Sequence, residues 1–201
     1  MALYTCPKLV ILTGPSGAGK TEIKKGLMEH ASLGLKELIT CTTRPPRPKE
    51  AHGRDYFFYS REEFEKMIAR NEMLEYAEVY GDLYGSRMQD VDSLLQKGHS
   101  PIFVLDVQGA STIMKKYSSV VSLFIKTPSI EDLEKLLRGR GTDSPERIAR
   151  RLGAAPQELA REKEFPNVIV NHVGKLEDTI VAVSKIVYYE LVLNREISRR
   201  R

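Results

Sequence analysis

GPSGAGKT, residues 14–21, follows the apolar run LVIL at residues 9–12, and this stretch decides the fold. It matches G-x-x-x-x-G-K-[ST], the phosphate-binding loop between a buried strand and a helix. The glycines permit a turn whose backbone N–H groups point inward, and the helix that follows adds its positive dipole end. Such a loop holds a polyphosphate, with Lys20 as a point charge on the outer phosphates and the Thr21 hydroxyl on Mg²⁺. The alternative, a glycine-rich turn with an incidental lysine, needs no ligand.

The sequence therefore predicts that the chain binds a nucleoside triphosphate. The predicted ligand-binding residues of the loop are Gly14, Pro15, Ser16, Gly17, Ala18, Gly19, Lys20 and Thr21.

The composition is that of a globular protein with a mild positive charge. The 201 residues are 41% hydrophobic and 29% charged, with a formal net charge of +4, and a chain of this length can form one substantial core. The charge suits an anionic substrate but is too small to indicate nucleic-acid binding. We expect neither nucleic acid nor a membrane as a partner, and we expect the basic run at 199–201 to be a solvated tail.

The cysteines and histidines follow no metal-binding pattern. Cys6 and Cys41 have neither metal nor redox spacing, and no ligand spacing links the four histidines. The sequence contains neither a signal peptide nor an apolar run near ~18 residues. We therefore expect a cytoplasmic protein with reduced thiols and without a structural metal.

Apolar runs alternate with helical patterns along the chain. This order predicts β-α-β units, and hence a parallel sheet covered by helices on both faces. Strands are predicted at residues 8–13, 101–107, 120–125 and 167–170. Helices are predicted at residues 20–30, 60–70, 87–97, 111–117, 130–139, 145–164 and 176–196, with Ser129 and Ser144 as caps.

Two segments fit this core poorly. Residues 40–86 contain short strand-like pieces at 56–59 and 78–80 and are rich in Arg, Pro, Tyr and Glu. Residues 138–152 are rich in arginine and have glycines near their start. Excursions of this kind carry substrate contacts and lids.

Five further motifs lie in order along the chain. They are TTRPPR at 42–47, GRDY at 53–56, YGS at 84–86, LDVQG at 105–109 and RGRGT at 138–142. With the phosphate-binding loop they cover nearly the whole chain, and the chain resembles the guanylate kinase family. The resemblance implies transfer of the γ-phosphoryl group of ATP to GMP, with Mg²⁺ as cofactor.

The resemblance also implies a domain organisation. The predicted fold class is α/β: a P-loop parallel-sheet core flanked by helices, with an inserted GMP-binding subdomain of mixed α+β structure and a helical lid. Residues 1–201 would form one guanylate kinase-like domain. Its core would comprise residues 1–39, 87–137 and 153–201, its GMP-binding subdomain residues 40–86 and its lid residues 138–152.

The proline-flanked arginines Arg44 and Arg47 are predicted to bind the phosphate of GMP. The prolines fix an extended backbone that holds the two guanidinium groups close together, and paired guanidinium groups suit a dianionic phosphate. By the resemblance, the hydroxyl groups of Tyr56 and Tyr84 bind the same phosphate. Without the resemblance, a solvated loop remains the alternative for the arginines.

Guanine presents two adjacent hydrogen-bond donors beside an acceptor oxygen. A carboxylate can accept from the two donors, and a hydroxyl can donate to the oxygen. By the resemblance, Glu75 is that carboxylate and Ser86 that hydroxyl, while Thr40 and Asp106 complete the pocket. Adenine would leave a buried carboxylate unpaired, so rejection by about 10³-fold or more is expected.

The chemistry requires charge neutralisation more than proton transfer, because the GMP phosphate is already an ionised nucleophile. Lys20, Arg140 and Arg151 are predicted to stabilise the transferring phosphoryl group, and Arg44 and Arg47 to steer the acceptor. Arg140 and Arg151 match the arginines of the family's lid. By the resemblance, closure of the lid brings their charge to the transferring group and excludes water. A salt-bridged helix surface is the alternative for these two.

The sequence departs from the family pattern in a few places. Val104 stands where an acidic residue is usual, and Leu136 where an arginine is usual, with Arg138 nearby as a substitute. Asn171 matches the asparagine that contacts the ATP base, but His172 replaces the aspartate that commonly follows.

Two alternatives stay open from the sequence. One is a guanylate-kinase-like scaffold domain that binds phosphopeptides with little catalysis, which the intact phosphate-binding loop disfavours. The other is a kinase for dGMP or for a pyrimidine monophosphate. A monomer or a small homo-oligomer is expected.

Overall fold

Helices surround two β-sheets in this chain. The computed structural model describes residues 7–193 except Tyr80, Ser118, Arg140 and Thr142. The strands are β1 (Leu9–Thr13), β2 (Leu35–Glu37), β3 (Cys41–Thr42), β4 (Phe57–Phe58), β5 (Met73–Val79), β6 (Asp82–Arg87), β7 (Ser100–Val104), β8 (Val120–Lys126) and β9 (Asn167–Val170). The helices are α1 (Lys20–Glu29), α2 (Arg61–Ala69), α3 (Met88–Gln96), α4 (Val107–Lys116), α5 (Ile130–Gly139), α6 (Pro145–Ala160) and α7 (Leu176–Tyr188).

The first sheet is parallel and has β1 at its centre. Its strand order is β2-β7-β1-β8-β9, and Val10 lies between Ile102 of β7 and Val121 of β8. All of β1 is buried, as its unbroken apolar sequence predicts for a strand covered on both faces. Because parallel strands end at the same edge, the loops that follow β1 and β7 meet there.

Successive residues of β1 face opposite layers of helices, as the pleat of a strand requires. Val10 and Leu12 pack in a cluster with α1 and α7, whereas Leu9 and Ile11 pack in a cluster with α3 and α4. The predicted parallel sheet covered on both faces is therefore confirmed. Within the described part of the chain, none of the helices combines the length and apolar character that crossing a membrane requires.

The second sheet is small and mixed. Its order is β4-β3-β6-β5, with β5 and β6 forming an antiparallel hairpin. Phe64 and Met67 of α2 pack on it in one cluster with Cys41, which is fully buried. Burial raises the pKa of the Cys41 thiol to about 12, against the opposing charge of Arg87.

Side-chain caps start several helices. Ser60 and Glu63 form a reciprocal capping box at the start of α2. The predicted caps are confirmed, since the Ser144 hydroxyl accepts a bond from the Arg147 N–H at 3.4 Å and the Ser129 hydroxyl one from the Asp132 N–H at 3.2 Å.

Some predicted boundaries are wrong. The strand predicted at 101–107 ends at Val104 and the helix predicted from 111 begins at Val107, because Asp106 caps it by accepting bonds from the N–H groups of Gln108 and Gly109 at 2.7 and 3.1 Å. The helix predicted at 145–164 ends at Ala160, before a 3₁₀ turn at Glu162–Glu164. The helix predicted at 176–196 ends at Tyr188, before a π-helical turn at Tyr189–Leu193, and residues 194–196 lie outside the described residues.

Candidate active site

The turn between β1 and α1 has the backbone geometry that an anion-binding loop needs. Its last residue, Gly19, is the N-cap of α1 and has φ of 93°, where a residue with a side chain is strained. Among the described residues no side chain caps this helix start, so its first N–H groups and its dipole can serve a ligand. Lys20 Nζ donates to the carbonyl oxygens of Gly14 and Pro15 at 2.5 and 2.8 Å. The lysine thus lies folded over its own loop.

Asn171, predicted to contact the ATP base, lies behind this loop. Its Nδ2 donates to the Ala18 carbonyl oxygen at 3.0 Å, and its Oδ1 accepts a bond from the Thr179 hydroxyl at 2.9 Å. Only 3% of the residue is exposed. A Cβ on Gly19 would lie 2.5 Å from Asn171 Nδ2. This geometry indicates a structural role in holding the loop, and the contact with the ATP base stays a prediction.

The predicted arginine pair is organised by a carboxylate. Arg44 Nη2 donates to both carboxylate oxygens of Glu50, at 3.0 and 2.9 Å, and the Arg47 N–H donates to Glu50 Oε2 at 2.7 Å. The Arg44 guanidinium carbon also lies 5.6 Å from the centre of the Tyr56 ring. Burial lowers the pKa of Arg44, but the hydrogen bonds and charge of Glu50, with a smaller contribution from Tyr84, outweigh burial and raise it.

The two loops share one cavity of about 250 Å³, here called the phosphate cavity. Its walls come from the loop after β1 with the start of α1, the region of the second sheet, α6, and Val104 at the end of β7. The predicted site residues that line it are Ser16, Gly17, Lys20 and Thr21 from the first part, Arg44, Arg47, Tyr56 and Tyr84 from the second, and Arg151 from the third. The structure thus brings together the cationic groups predicted for both nucleotides.

The predicted guanine-binding pair is in contact. The Ser86 hydroxyl donates to Glu75 Oε1 at 2.8 Å, and Glu75 is 3% exposed. Burial raises the pKa of Glu75 to about 8; the charge of Asp106 raises it further, while the Ser86 hydrogen bond opposes the shift. A Cβ on Gly109 would lie 2.7 Å from Glu75 Oε2, so a side chain at that position would have to displace this carboxylate.

A second cavity, the central cavity, has a volume of about 220 Å³ and connects the Glu75 pocket to the phosphate-binding loop. The predicted site residues that line it are Gly14, Ser16, Lys20, Thr40, Tyr56, Glu75, Tyr84 and Asp106. Asp106 therefore both borders this cavity and caps α4. Val104 lines both cavities and presents an apolar side chain where the family pattern has an acidic residue.

The arginine-rich segment contributes through α6. Arg151 Nη1 lies 3.3 Å from Asp143 Oδ2, and Arg147 Nη1 lies 3.8 Å from Asp143 Oδ1. Arg140, predicted to be catalytic, lies outside the described residues. Arg138, considered as a substitute for the residue at Leu136, is largely exposed and pairs with Glu134 at 2.7 Å.

Sequence reasoning missed three residues of this site: Glu50, Arg147 and Glu158. The sequence feature that could have identified Glu50 is its position: it is an acidic residue in a basic segment, three positions after Arg47. Arg147 lies four positions before Arg151 and thus on the same face of a helix. The Ser16 N–H donates to Glu158 Oε2 at 3.3 Å, and no pattern in the sequence marks that contact because the residues are far apart in the chain.

Comparisons with known proteins agree with this arrangement. The family model described as guanylate kinase matches residues 6–190. The chain is 44% identical to a guanylate kinase of Polaromonas sp. over 165 residues, which cover 82% of this chain and 80% of that one. It is 41% identical to a guanylate kinase of Thermosynechococcus vestitus over 182 residues, which cover 90% and 93% of the two chains.

A solved structure extends the likeness to three dimensions. The crystal structure of guanylate kinase from Anaplasma phagocytophilum matches with a TM-score of 0.76 at 31% identity, covering 100% of this chain and 98% of that chain. The predicted α/β class with a helix-flanked parallel core is confirmed by that match. A family model over most of the sequence, and relatives above 40% identity, are enough to decide membership. The chain belongs to the guanylate kinase family.

Proposed function

We propose that this protein transfers the γ-phosphoryl group of ATP to GMP, forming ADP and GDP, with the residues that line its two cavities. The observation that carries the proposal is the phosphate cavity, where Lys20 of the phosphate-binding loop faces the same space as Arg44 and Arg47. Two polyanions repel each other, so an enzyme that joins them needs cations on both sides of the reacting atoms.

ATP is proposed to bind with its phosphates over the start of α1. The backbone N–H groups of residues 17–21 and the helix dipole favour a polyphosphate there. Lys20 would exchange its bonds to the Gly14 and Pro15 carbonyl oxygens for phosphate oxygens, which gain more from a positive charge than neutral carbonyl groups do.

Mg²⁺ is proposed to bind through the Thr21 hydroxyl. Thr21 belongs to the first turn of α1 and lines the phosphate cavity, and a hydroxyl oxygen is a hard ligand of the type this ion accepts beside phosphates and water. When bound, the ion neutralises negative charge on the phosphates and orients them.

GMP is proposed to bind on the second sheet. Its base would meet Glu75 and Ser86, with Thr40 and Asp106 at the rim, and its phosphate would meet Arg44, Arg47, Tyr56 and Tyr84. Arg44 would exchange the Glu50 carboxylate for the phosphate, since both are anions that suit its paired N–H groups. No general base is needed because the attacking oxygen is already ionised.

The lid is proposed to complete the site. Residues 40–86 and residues 138–152 would move toward the core, carrying Arg140 and Arg151 to the transferring group and excluding water. Arg151 would act through its positive charge. Its contact with Asp143 supports the proposal that the side chain is held in position before the nucleotides bind.

The reaction places the protein in purine nucleotide metabolism, and we propose that it works in the cytoplasm on free nucleotides as a monomer or a small homo-oligomer. dGMP is a further proposed acceptor. The scaffold alternative is not favoured, because the phosphate-binding loop is complete and shares a cavity with the arginine pair.

One assay tests the proposal: ADP formation from MgATP is measured with GMP, dGMP, AMP, UMP and CMP in turn. GMP should give rapid turnover and dGMP a comparable one, whereas AMP should be slower by about 10³-fold in kcat/KM. Binding of GMP without ADP formation would contradict the proposal and favour the scaffold alternative.

A further inference from the structure

The last turns of α6 bring a carboxylate against the phosphate-binding loop. Glu158 Oε2 accepts a hydrogen bond from the Ser16 backbone N–H at 3.3 Å. The same side chain lines the central cavity together with Lys20 and Tyr84. Glu158 thus occupies a backbone donor of the loop that directly precedes residues 17–21, the N–H groups proposed to hold the phosphates.

Glu158 lies in a largely buried place beside the cation Lys20 and the dipole of the Ser16 N–H. Burial raises the pKa of Glu158, and the charge of Lys20 and the Ser16 N–H act in the opposite direction. The charge of Asp106 makes a smaller contribution in the same direction as burial. A second anion brought to this place would therefore compete with the carboxylate for the Ser16 N–H and for Lys20.

ATP brings such a second anion, its terminal phosphoryl group, and ADP does not. The hollow formed by residues 17–21 can hold the phosphates that the two nucleotides share. The third phosphoryl group of ATP must extend from this hollow toward the acceptor phosphate, into the space beside Ser16 and Lys20, which line both the phosphate cavity and the central cavity bordered by Glu158. ADP ends before it.

We propose that Glu158 sets the preference of the donor site between ATP and ADP. It accepts the Ser16 N–H in the nucleotide-free enzyme and beside bound ADP, and it yields this donor to the terminal phosphoryl group of ATP. The inference rests on the proposed position of ATP over the loop. Glu158 acts as a specificity-determining residue whose negative charge opposes ATP more than ADP.

The helix that carries Glu158 also carries two arginines of the predicted lid. Arg147, Arg151 and Glu158 follow one another at intervals of four and seven residues, so they lie on one face of α6. Pro156 lies inside this helix, and a proline there removes one backbone hydrogen bond and favours a bend. Glu158 thus lies beyond Pro156, on the same face of the helix as Arg151.

The test compares the dissociation constants of MgATP and MgADP, measured by calorimetry without GMP, for the wild type and for Glu158→Gln. The variant should bind MgATP about three- to tenfold more tightly while MgADP stays within about twofold. The matched control is Glu162→Gln, which removes a carboxylate that pairs with Lys126 at 2.6 Å and should leave both constants unchanged. A purely structural role would shift both nucleotides together.

Three results would overturn the inference. They are an equal change in the dissociation constants of both nucleotides, weaker binding of ATP, and a loss of ATP affinity that is seen with Mg²⁺ but not without it. The last would make Glu158 a partner of the ion. If Glu158→Gln does not fold, Glu158→Asp shortens the same side chain and should shift the ATP/ADP ratio in the same direction. Lys20→Met separates the two proposals, since unchanged ATP binding in that variant would refute the ATP position itself.

Discussion

Among single residues, Glu75 is deeply buried, and guanine would need its carboxylate in the ionised form. Ser86 donates to one of its oxygens at 2.8 Å, and burial raises its pKa to about 8. The charged form is therefore scarce in the free protein near neutral pH, and a ligand with paired N–H donors would have to draw a proton out of the pocket as it binds.

GMP binding should consequently strengthen as the pH rises. With a pKa of about 8, Glu75 is mostly protonated at pH 7, so the dissociation constant for GMP should fall about 25-fold between about pH 6.5 and about pH 8.5. Calorimetry in buffers of different ionisation enthalpy would show the released proton. In Glu75→Gln the dependence should disappear, and a slope that persists there would contradict the assignment.

The same pKa has a consequence for stability, with a defined sign. Its value in the folded protein, about 8, lies above the ordinary 4.5, so the folded state binds more protons than the unfolded state between these values. The free energy of unfolding therefore decreases as the pH rises through that window. Glu75→Gln should raise the melting temperature at about pH 8.5 but not at about pH 4.5, as measured by circular dichroism.

Lys20 provides the sharpest separation of the two nucleotide sites. Lys20→Met removes the charge over the loop but leaves Arg44 and Arg47 untouched, so turnover should be abolished while GMP affinity stays within a few-fold of the wild type. Steady-state kinetics and GMP titration measure the two quantities. Loss of GMP binding together with turnover would mean that the acceptor site is elsewhere.

Among elements, the phosphate-binding loop depends on a support that lies far from it in the chain. Asn171 follows β9 and bonds Ala18, and Thr179 of α7 in turn bonds Asn171. The loop's shape is thus fixed by two elements on its far side as well as by its own glycines.

Thr179→Val tests this support. The substitution keeps the shape of the side chain but leaves the buried Asn171 Oδ1 without its donor, which should cost about 1–3 kcal/mol of stability and raise the KM for ATP. The KM for GMP should change little. Ser184→Ala is the matched control in α7, because its hydroxyl bonds Val181 on the exposed side. Equal effects of both substitutions on ATP would contradict the role.

The sequence allowed much of the core to be predicted, for identifiable physical reasons. β1 has an apolar sequence typical of a strand buried on both faces, and its end is marked by the loop motif. At 107 the prediction failed because β-branched Val107 continues an apolar run, while the cap made by Asp106 starts a helix there. Strands as short as β2 and β3 depend on their neighbours rather than on their own residues.

For the site, local motifs indicated which residues matter, and long-range packing decided what each touches. Arg44 and Ser86 stand in contiguous motifs, and Glu75 was assigned by the resemblance; the roles of all three stay predictions. The contacts of Asn171 with Ala18 and of Glu158 with Ser16 join residues more than 140 positions apart. Pairings of that kind depend on the tertiary fold, and a single sequence does not encode them in any local pattern.

Across the whole molecule, positive charge is divided among parts that meet at the phosphate cavity. Lys20 belongs to the first turn of α1, Arg44 and Arg47 to the region of the second sheet, and Arg151 to α6. Neither nucleotide alone can contact all of these cations. We therefore expect α1, the region of the second sheet and α6 to lie closest together when both nucleotides are bound.

Scattering in solution can test that closure. Addition of GMP and a non-hydrolysable ATP analogue together should lower the radius of gyration by a few per cent from the value of about 16 Å expected for a compact chain of this length. Each nucleotide alone should give a smaller change, and Arg44→Met should reduce the response to GMP. An unchanged radius at saturation with both ligands would exclude a closing motion of this size.

The buried thiol beneath the second sheet has a practical consequence. With its pKa raised to about 12, Cys41 is almost entirely protonated and shielded from alkylating reagents, which attack the thiolate. Its sulfur becomes reactive only when the packing of Phe64 and Met67 loosens. In a Cys6→Ser background, the rate of iodoacetamide modification would therefore measure how often the packing between α2 and the second sheet opens, without requiring catalysis.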